Sequence, residues 1–147
     1  KLTFAALEAT LLEYLEGKPE ENIPVICMLC RSLEQLQHQA EELLNHLQNH
    51  IGSLPQVASL NLVELEDMVG GGAYPTYKIP GFGVDIEFSD NALEKVAREL
   101  RLGSPALVTR KQDDKMRISV RTLLKGDAEL LVDLIEGVLT TDVGSRM

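Results

Sequence analysis

Phe82-Gly83-Val84-Asp85-Ile86-Glu87-Phe88 is the stretch on which the fold turns. Its apolar residues, Phe82, Val84, Ile86 and Phe88, fall on every second position, with Gly83, Asp85 and Glu87 between them. A period of two gives a chain one apolar and one polar face, so this stretch predicts a strand that closes one side of a core. The period then changes. Leu93, Val96, Ala97 and Leu100 follow helical spacing, Asn91 and Glu94 fit a capping box ahead of them, and Gly103 and Pro105 end the run. Two short segments, Ala106 to Arg110 and Met116 to Arg121, flank the polar link 111–115 and predict a hairpin. Asp127 opens a last helix through Leu130, Leu131, Leu134, Ile135 and Val138, and 140–147 reads as a loose tail.

Upstream, residues 57–66 predict a strand, although Leu60, Leu62 and Leu65 match neither period cleanly. Before it Ile26, Leu29, Leu33, Leu36, Ala40, Leu43 and Leu47 step by threes and fours, a heptad-like stripe over helices at about 24–51. Pro24 suits a first helical turn, and Ser32 with Gln35 resembles a capping box, so this is one long helix or two that meet near Arg31. Phe4, Leu7, Leu11 and Tyr14 or Leu15 predict a helix over 3–16, stopped by Gly17 and Pro19. Helices followed by strands with hairpin-length links make an α+β fold, an antiparallel sheet covered by helices. A boundary in the Gly17 to Pro24 link separates a helical segment, 1–20, from an α+β domain, 21–147.

At 147 residues and 44% hydrophobic content the chain suffices for one ordinary core. Its apolar runs are shorter than the roughly 18 to 20 residues a spanning helix needs, and the reading is a soluble, cytoplasmic protein. Fourteen basic against twenty-three acidic residues give a net charge of −9, whose summed field repels a polyphosphate. A main grip on nucleic acid is therefore not expected from this acidic chain.

Three separated strings carry a resemblance. They are Lys1-Leu2-Thr3-Phe4-Ala5-Ala6-Leu7-Glu8-Ala9-Thr10-Leu11, Gly70-Gly71-Gly72-Ala73-Tyr74-Pro75 and Val120-Arg121-Thr122. Together they resemble the last third of bacterial selenocysteine synthases, the L-seryl-tRNA(Sec) selenium transferases. The resemblance implies the small C-terminal domain of a fold-type-I pyridoxal phosphate enzyme, preceded by the terminal helix of the large cofactor-binding domain. It implies a homo-oligomer that removes water from seryl-tRNA(Sec) and adds selenium from selenophosphate. It also puts the Schiff-base lysine upstream, so that this chain alone is inactive and contributes no catalytic residue. Tyr74 stands where the family usually has a hydrophobic residue, often leucine, Thr109-Arg110-Lys111 replaces a Gly-Arg-Ile-type string, and Ile118-Ser119-Val120-Arg121 replaces Leu-Asp-Leu-Arg. Relatives of this family act on other amino compounds, so a selenocysteine-synthase-like lyase or transferase for a free amino acid or amino sugar is the alternative. A helix-mediated interaction module using the heptad stripe is a third reading.

Strand alternation places Arg117, Ser119 and Arg121 on one face, where two guanidiniums can clamp a carboxylate or phosphate, or simply form cross-strand ion pairs on a solvated face. Gly70, Gly71 and Gly72 allow close backbone approach to a ligand, and equally a turn between strands. Tyr74, Tyr77 and Lys78 beside them offer polar groups or a loop tip. Cys27 and Cys30, with no second pair, read as buried small hydrophobes rather than metal ligands. His46 and His50 read as helix-end residues, and Asp113-Asp114 as a turn. No metal site is expected.

Overall fold

The computed structural model describes residues 1–69 and 74–141. Gly70, Gly71 and Gly72 and the end of the expected tail lie outside them. The chain divides into two compact units, Lys1–Ser32 and Leu33–Met147, and the division falls C-terminal to the Gly17 to Pro24 link.

The first unit holds α1 (Leu2–Leu15), α2 (Pro19–Asn22) and α3 (Pro24–Cys30). Gly17, at φ +74°, ends α1, with its N–H on the Tyr14 carbonyl and the Lys18 N–H on the Glu13 carbonyl. That pair of bonds is a Schellman cap, which favours glycine at the left-handed position. No residue of this unit is buried, and Leu2, Phe4 and Leu15 are 88%, 76% and 82% exposed. Cys27 is half-buried and Cys30 exposed, which corrects the expectation of two buried thiols. These helices enclose no core in which a thiol could be sealed.

The second unit begins with α4 (Leu33–Ile51), a helix separate from α3. Arg31, at φ −59° and ψ 129°, takes extended backbone and breaks the helical run. The heptad-like stripe divides there. Leu36, Ala40, Leu43, Leu47 and Ile51 are buried, whereas Leu29 and Leu33 are 37% and 47% exposed. A long hairpin follows, β1 (Val57–Val69) and β2 (Tyr74–Phe88), each strand reaching beyond its expected limits. Next come α5 (Leu93–Leu102), β3 (Arg110–Gln112), β4 (Lys115–Ser119), a single 3-10 turn at Val120–Thr122, and α6 (Asp127–Thr141). The four strands form one antiparallel sheet in the order β1-β2-β4-β3.

Register explains the irregular pattern of β1. Leu60 and Leu62 pair with Ile86 and Val84 on the core face, while Leu65 pairs with Gly81 and Asp67 with Ile79, one residue out of phase and so on the opposite face. The core fills with Val84 and Ile86 of β2, Met116 and Ile118 of β4, the α4 seam, Val96 and Leu100 of α5, and Leu131, Val132, Ile135 and Leu139 of α6. The helices therefore cover one face of the sheet.

Three local expectations are corrected. Asn91 does not cap α5: it follows Asp90 with both residues at positive φ, and the N-cap position falls on Ala92 without a side-chain bond. The second hairpin is tighter than expected, because Asp113 and Asp114 at φ 52° and 58° form a two-residue turn and leave Gln112 and Lys115 in the strands. Positive φ at both central residues marks the turn whose twist matches flanking strands. Last, α6 runs to Thr141, and Thr140 and Thr141 return their hydroxyls to the carbonyls of Glu136 and Gly137.

Leu47, fully buried on the α4 seam, is expected to be costly to truncate. Leu47→Ala should lower unfolding free energy by about 2–5 kcal/mol, read from urea denaturation, with no change in the length of α4 by circular dichroism.

Candidate functional site

The face of the sheet turned away from the helices carries the arginines singled out from the sequence. On β4 the core residues Met116 and Ile118 alternate with Lys115, Arg117 and Ser119, and Asp85 and Glu87 of β2 lie on that second face. Asp85 stands directly opposite Arg117 in the register. Arg117 grips it side-on, donating from Nε and Nη2 to the two carboxylate oxygens at 2.7 Å each. Nη1 remains for a further acceptor. Hydrogen bonding to Asp85 is the chief cause that holds Arg117 above its ordinary pKa; partial burial opposes it, and the charges of Asp85 and Asp113 add to it. The sign follows from linkage: a raised arginine adds stability that is complete below its unfolded value and lost only above its folded one. Arg117 therefore lends the fold no pH dependence near neutrality.

Arg121 reaches the same face by a different route. The strand ends at Ser119, and the 3-10 turn replaces the strict alternation expected through residue 121. From the turn the Arg121 guanidinium donates from Nε to Asp67 Oδ2 at 2.9 Å and from Nη2 to the Pro80 carbonyl at 2.7 Å. The Ser119 hydroxyl donates to the same Asp67 oxygen at 3.2 Å and accepts the Arg121 backbone N–H. Asp67, Asp85 and Arg121 are only 5%, 3% and 5% exposed. Cross-strand pairing is thus observed, but in a buried lattice rather than on a solvated face. Burial raises the cost of removing either partner, because the charge left behind has lost its water.

Two glycines give this lattice its room. A Cβ at Gly81 would stand 2.7 Å from Asp67 Oδ2 and 3.5 Å from Arg121 Nη2. At Gly83 it would stand 2.2 Å from the Ile118 carbonyl oxygen and 2.6 Å from Leu65 Cδ1. The distances to Asp67 Oδ2, the Ile118 oxygen and Leu65 Cδ1 are all below van der Waals contact, so the close approach here depends on the absence of side chains.

Arg110 completes the cluster. It pairs with Arg117 across β3 and β4, is largely exposed, and holds Nη1 3.9 Å from Asp67 Oδ1. Within the ion pairs themselves three guanidiniums meet two carboxylates, and the more distant Asp113 adds a negative charge that Arg117 also feels. Beside it a recess of about 130 Å³ is lined by Thr109, Arg110, Arg117, Ser119 and Thr122 together with Leu123 and Leu131. Ligand pockets for drug-sized molecules start at about 300 Å³, so the recess has room for one small anionic group. Sequence reasoning found the arginines and missed their partners: Asp67 lies beyond the expected end of β1, and only the register places it under Arg121.

The other candidates lie apart from this cluster. Lys78 pairs with Glu66 across the hairpin, and the side chains of Tyr74 and Tyr77, like Gly70–Gly72, fall outside the described residues. His46 is exposed, while His50 Nδ1 lies 2.8 Å from Glu136 Oε2 and ties α4 to α6. The donor atoms of His50, Asp133 and Glu136 come within 4.8 Å of one another.

Arg117→Lys, which cannot reproduce the side-on grip, is expected to cost about 1.5–3 kcal/mol, the range for a hydrogen bond to a charged group. Arg117→Met strands the Asp85 carboxylate and should cost more, about 3–5 kcal/mol. Urea midpoints of the two variants check both magnitude and order. Gly81→Ala pushes Asp67 off Arg121 and should destabilise by about 1–3 kcal/mol, as overpacking does.

Comparison with known proteins places the chain. The family described as "SelA: L-seryl-tRNA selenium transferase" matches residues 1–124, from α1 through the turn that carries Arg121. The L-seryl-tRNA(Sec) selenium transferase of Caldanaerobacter subterraneus subsp. tengcongensis is 34% identical over 94% of this chain and 29% of its own length. Those of Carboxydothermus hydrogenoformans and Clostridium botulinum strain 657 are 34% and 33% identical over 97% and 95% of the chain. The chain thus spans 29–30% of the length of these relatives. With most of its residues inside the match, the chain belongs to the L-seryl-tRNA selenium transferase family.

Proposed function

We propose that this chain is the C-terminal portion of a pyridoxal-phosphate-dependent enzyme that converts seryl-tRNA(Sec) to selenocysteinyl-tRNA(Sec) with selenophosphate, as a cytoplasmic homo-oligomer. The observation that carries the reading is the family match over residues 1–124, unbroken from the first helix to Arg121. The first helix supports it too. Apolar residues on nearly every side of α1 stand exposed, the pattern of a helix meant for burial, and we assign residues 1–20 to the large cofactor-binding domain. Among the described residues no helix is long and apolar enough to cross a membrane.

The described residues do not fit a pyridoxal phosphate site of their own. Every lysine among them is exposed except the half-buried Lys115, and Lys78, Lys111 and Lys115 are engaged by Glu66, Glu94 and Glu87. An aldehyde cofactor needs an amine held in a closed cavity, so we assign the cofactor and its lysine to the part of the protein outside this chain. What these residues contribute is binding and orientation. Asp67 fixes Arg121 and thereby the hairpin, and Arg117 with Arg110 offers positive charge at the small recess to an anionic group of the substrate.

A second reading, a transferase or lyase for a free amino compound, is favoured by that same recess, whose size suits one carboxylate. The two separate in the full-length protein by following cofactor absorbance during additions. Seryl-tRNA(Sec) is expected to shift the spectrum while free serine and other small amino acids leave it unchanged. A response to free amino compounds alone contradicts the selenium transferase reading and supports the second.

A further inference from the structure

We propose that the groove between α5 and residues 108–111 is a contact for the phosphate backbone of RNA, an inference that rests on the tRNA-dependent reading above. The groove, about 370 Å³, is lined by Lys95, Arg98, Arg101 and Lys111, with Glu94 the one acid in its wall. Glu94 is taken up by Lys111, whose Nζ donates to both carboxylate oxygens at 2.6 and 2.7 Å. Glu94 and Lys111 cancel, leaving the guanidiniums of Arg98 and Arg101 as local excess charge on a chain of net charge −9. Among the described residues Arg98 and Arg101 enter no ion pair.

The net charge does not decide what this groove binds. At physiological ionic strength charges are screened beyond about 8 Å, so a phosphate seated here responds to the groove and little to acids on distant helices. Glu99, also on α5, lines the neighbouring pocket rather than this one. Arg98 and Arg101 lie three residues apart on one side of a helix, where their side chains are neighbours. Thr109 and the 76%-exposed Val108 form part of the lining. Arginine, lysine and threonine are the side chains that meet phosphate and sugar in nucleic-acid complexes. Arginine is common at protein interfaces as well, but lysine is depleted there and no aromatic anchor stands in the lining.

The test uses the full-length protein and transcribed tRNA(Sec), with Kd measured over a range of salt. Arg98→Glu with Arg101→Glu is expected to weaken binding about tenfold or more at moderate salt. The double change should also reduce the slope of log Kd against log salt by about one for each lost phosphate contact. Arg98→Lys with Arg101→Lys should retain most affinity. Both residues are exposed, so the variants should keep the wild-type thermal transition. Unchanged affinity and slope in the charge-reversed variant, with the wild type still binding, overturns the groove and leaves the proposed function standing. An altered oligomeric state with unchanged RNA affinity also overturns it, by assigning the groove to a protein contact. Failure of the wild type to bind tRNA(Sec) overturns both.

Discussion

Everything on the open face of this sheet depends on the buried pair between Asp67 and Arg121. It joins residues 54 positions apart in sequence, one in the first strand and one in the turn that follows the fourth. The guanidinium also takes the Pro80 carbonyl, so a single side chain fastens both arms of the long hairpin to the end of β4. Neither group is within easy reach of water, and a half-formed version of the contact would leave a naked charge in place. That makes the arrangement nearly all-or-none. Gly81 is its steric condition, since any side chain there would occupy the space of the Asp67 carboxylate.

The Asp85–Arg117 pair repeats the device one step along the sheet with a different outcome. Arg117 retains 16% of its side-chain exposure, against 6% for Arg121, and its grip leaves one nitrogen unused. Of the two arginines that the sequence suggested as a clamp, the outer one has the geometry to meet a ligand, with Arg110 beside it. The inner one is committed to holding the hairpin. On the function proposed above, labour is divided: cofactor chemistry belongs to the rest of the protein, and this unit supplies a braced edge that carries Arg110 and Arg117.

Much of the fold was legible because it is written in local periodicity. The alternation from Phe82 to Phe88 gave the central strand, the spacing after Asp127 gave the last helix, and Gly17 with Pro19 gave the end of the first. Sequence reasoning faltered where a residue's role is set by its partner. Leu65 and Asp67 blur the period of β1 because they sit on the opposite face from Leu60 and Leu62, a fact visible only once β2 fixes the register. The capping box at Asn91 failed for a similar reason: left-handed backbone at Asp90 and Asn91 carries the chain around the turn, and the Glu94 carboxylate goes to Lys111 instead. The polar face looked solvated because charged residues usually are, and only their mutual pairing allows these to be buried.

The measurement that bears most directly on this account is a double-mutant cycle on the inner pair, using Asp67→Asn, Arg121→Gln and the combined variant, read by denaturant unfolding. If the pair is the fastening described, the two substitutions will be strongly non-additive, with a coupling energy of about 1–3 kcal/mol, the upper part of the range for groups in one network. Additive effects, with each substitution costing the same whether or not the other is present, would contradict it.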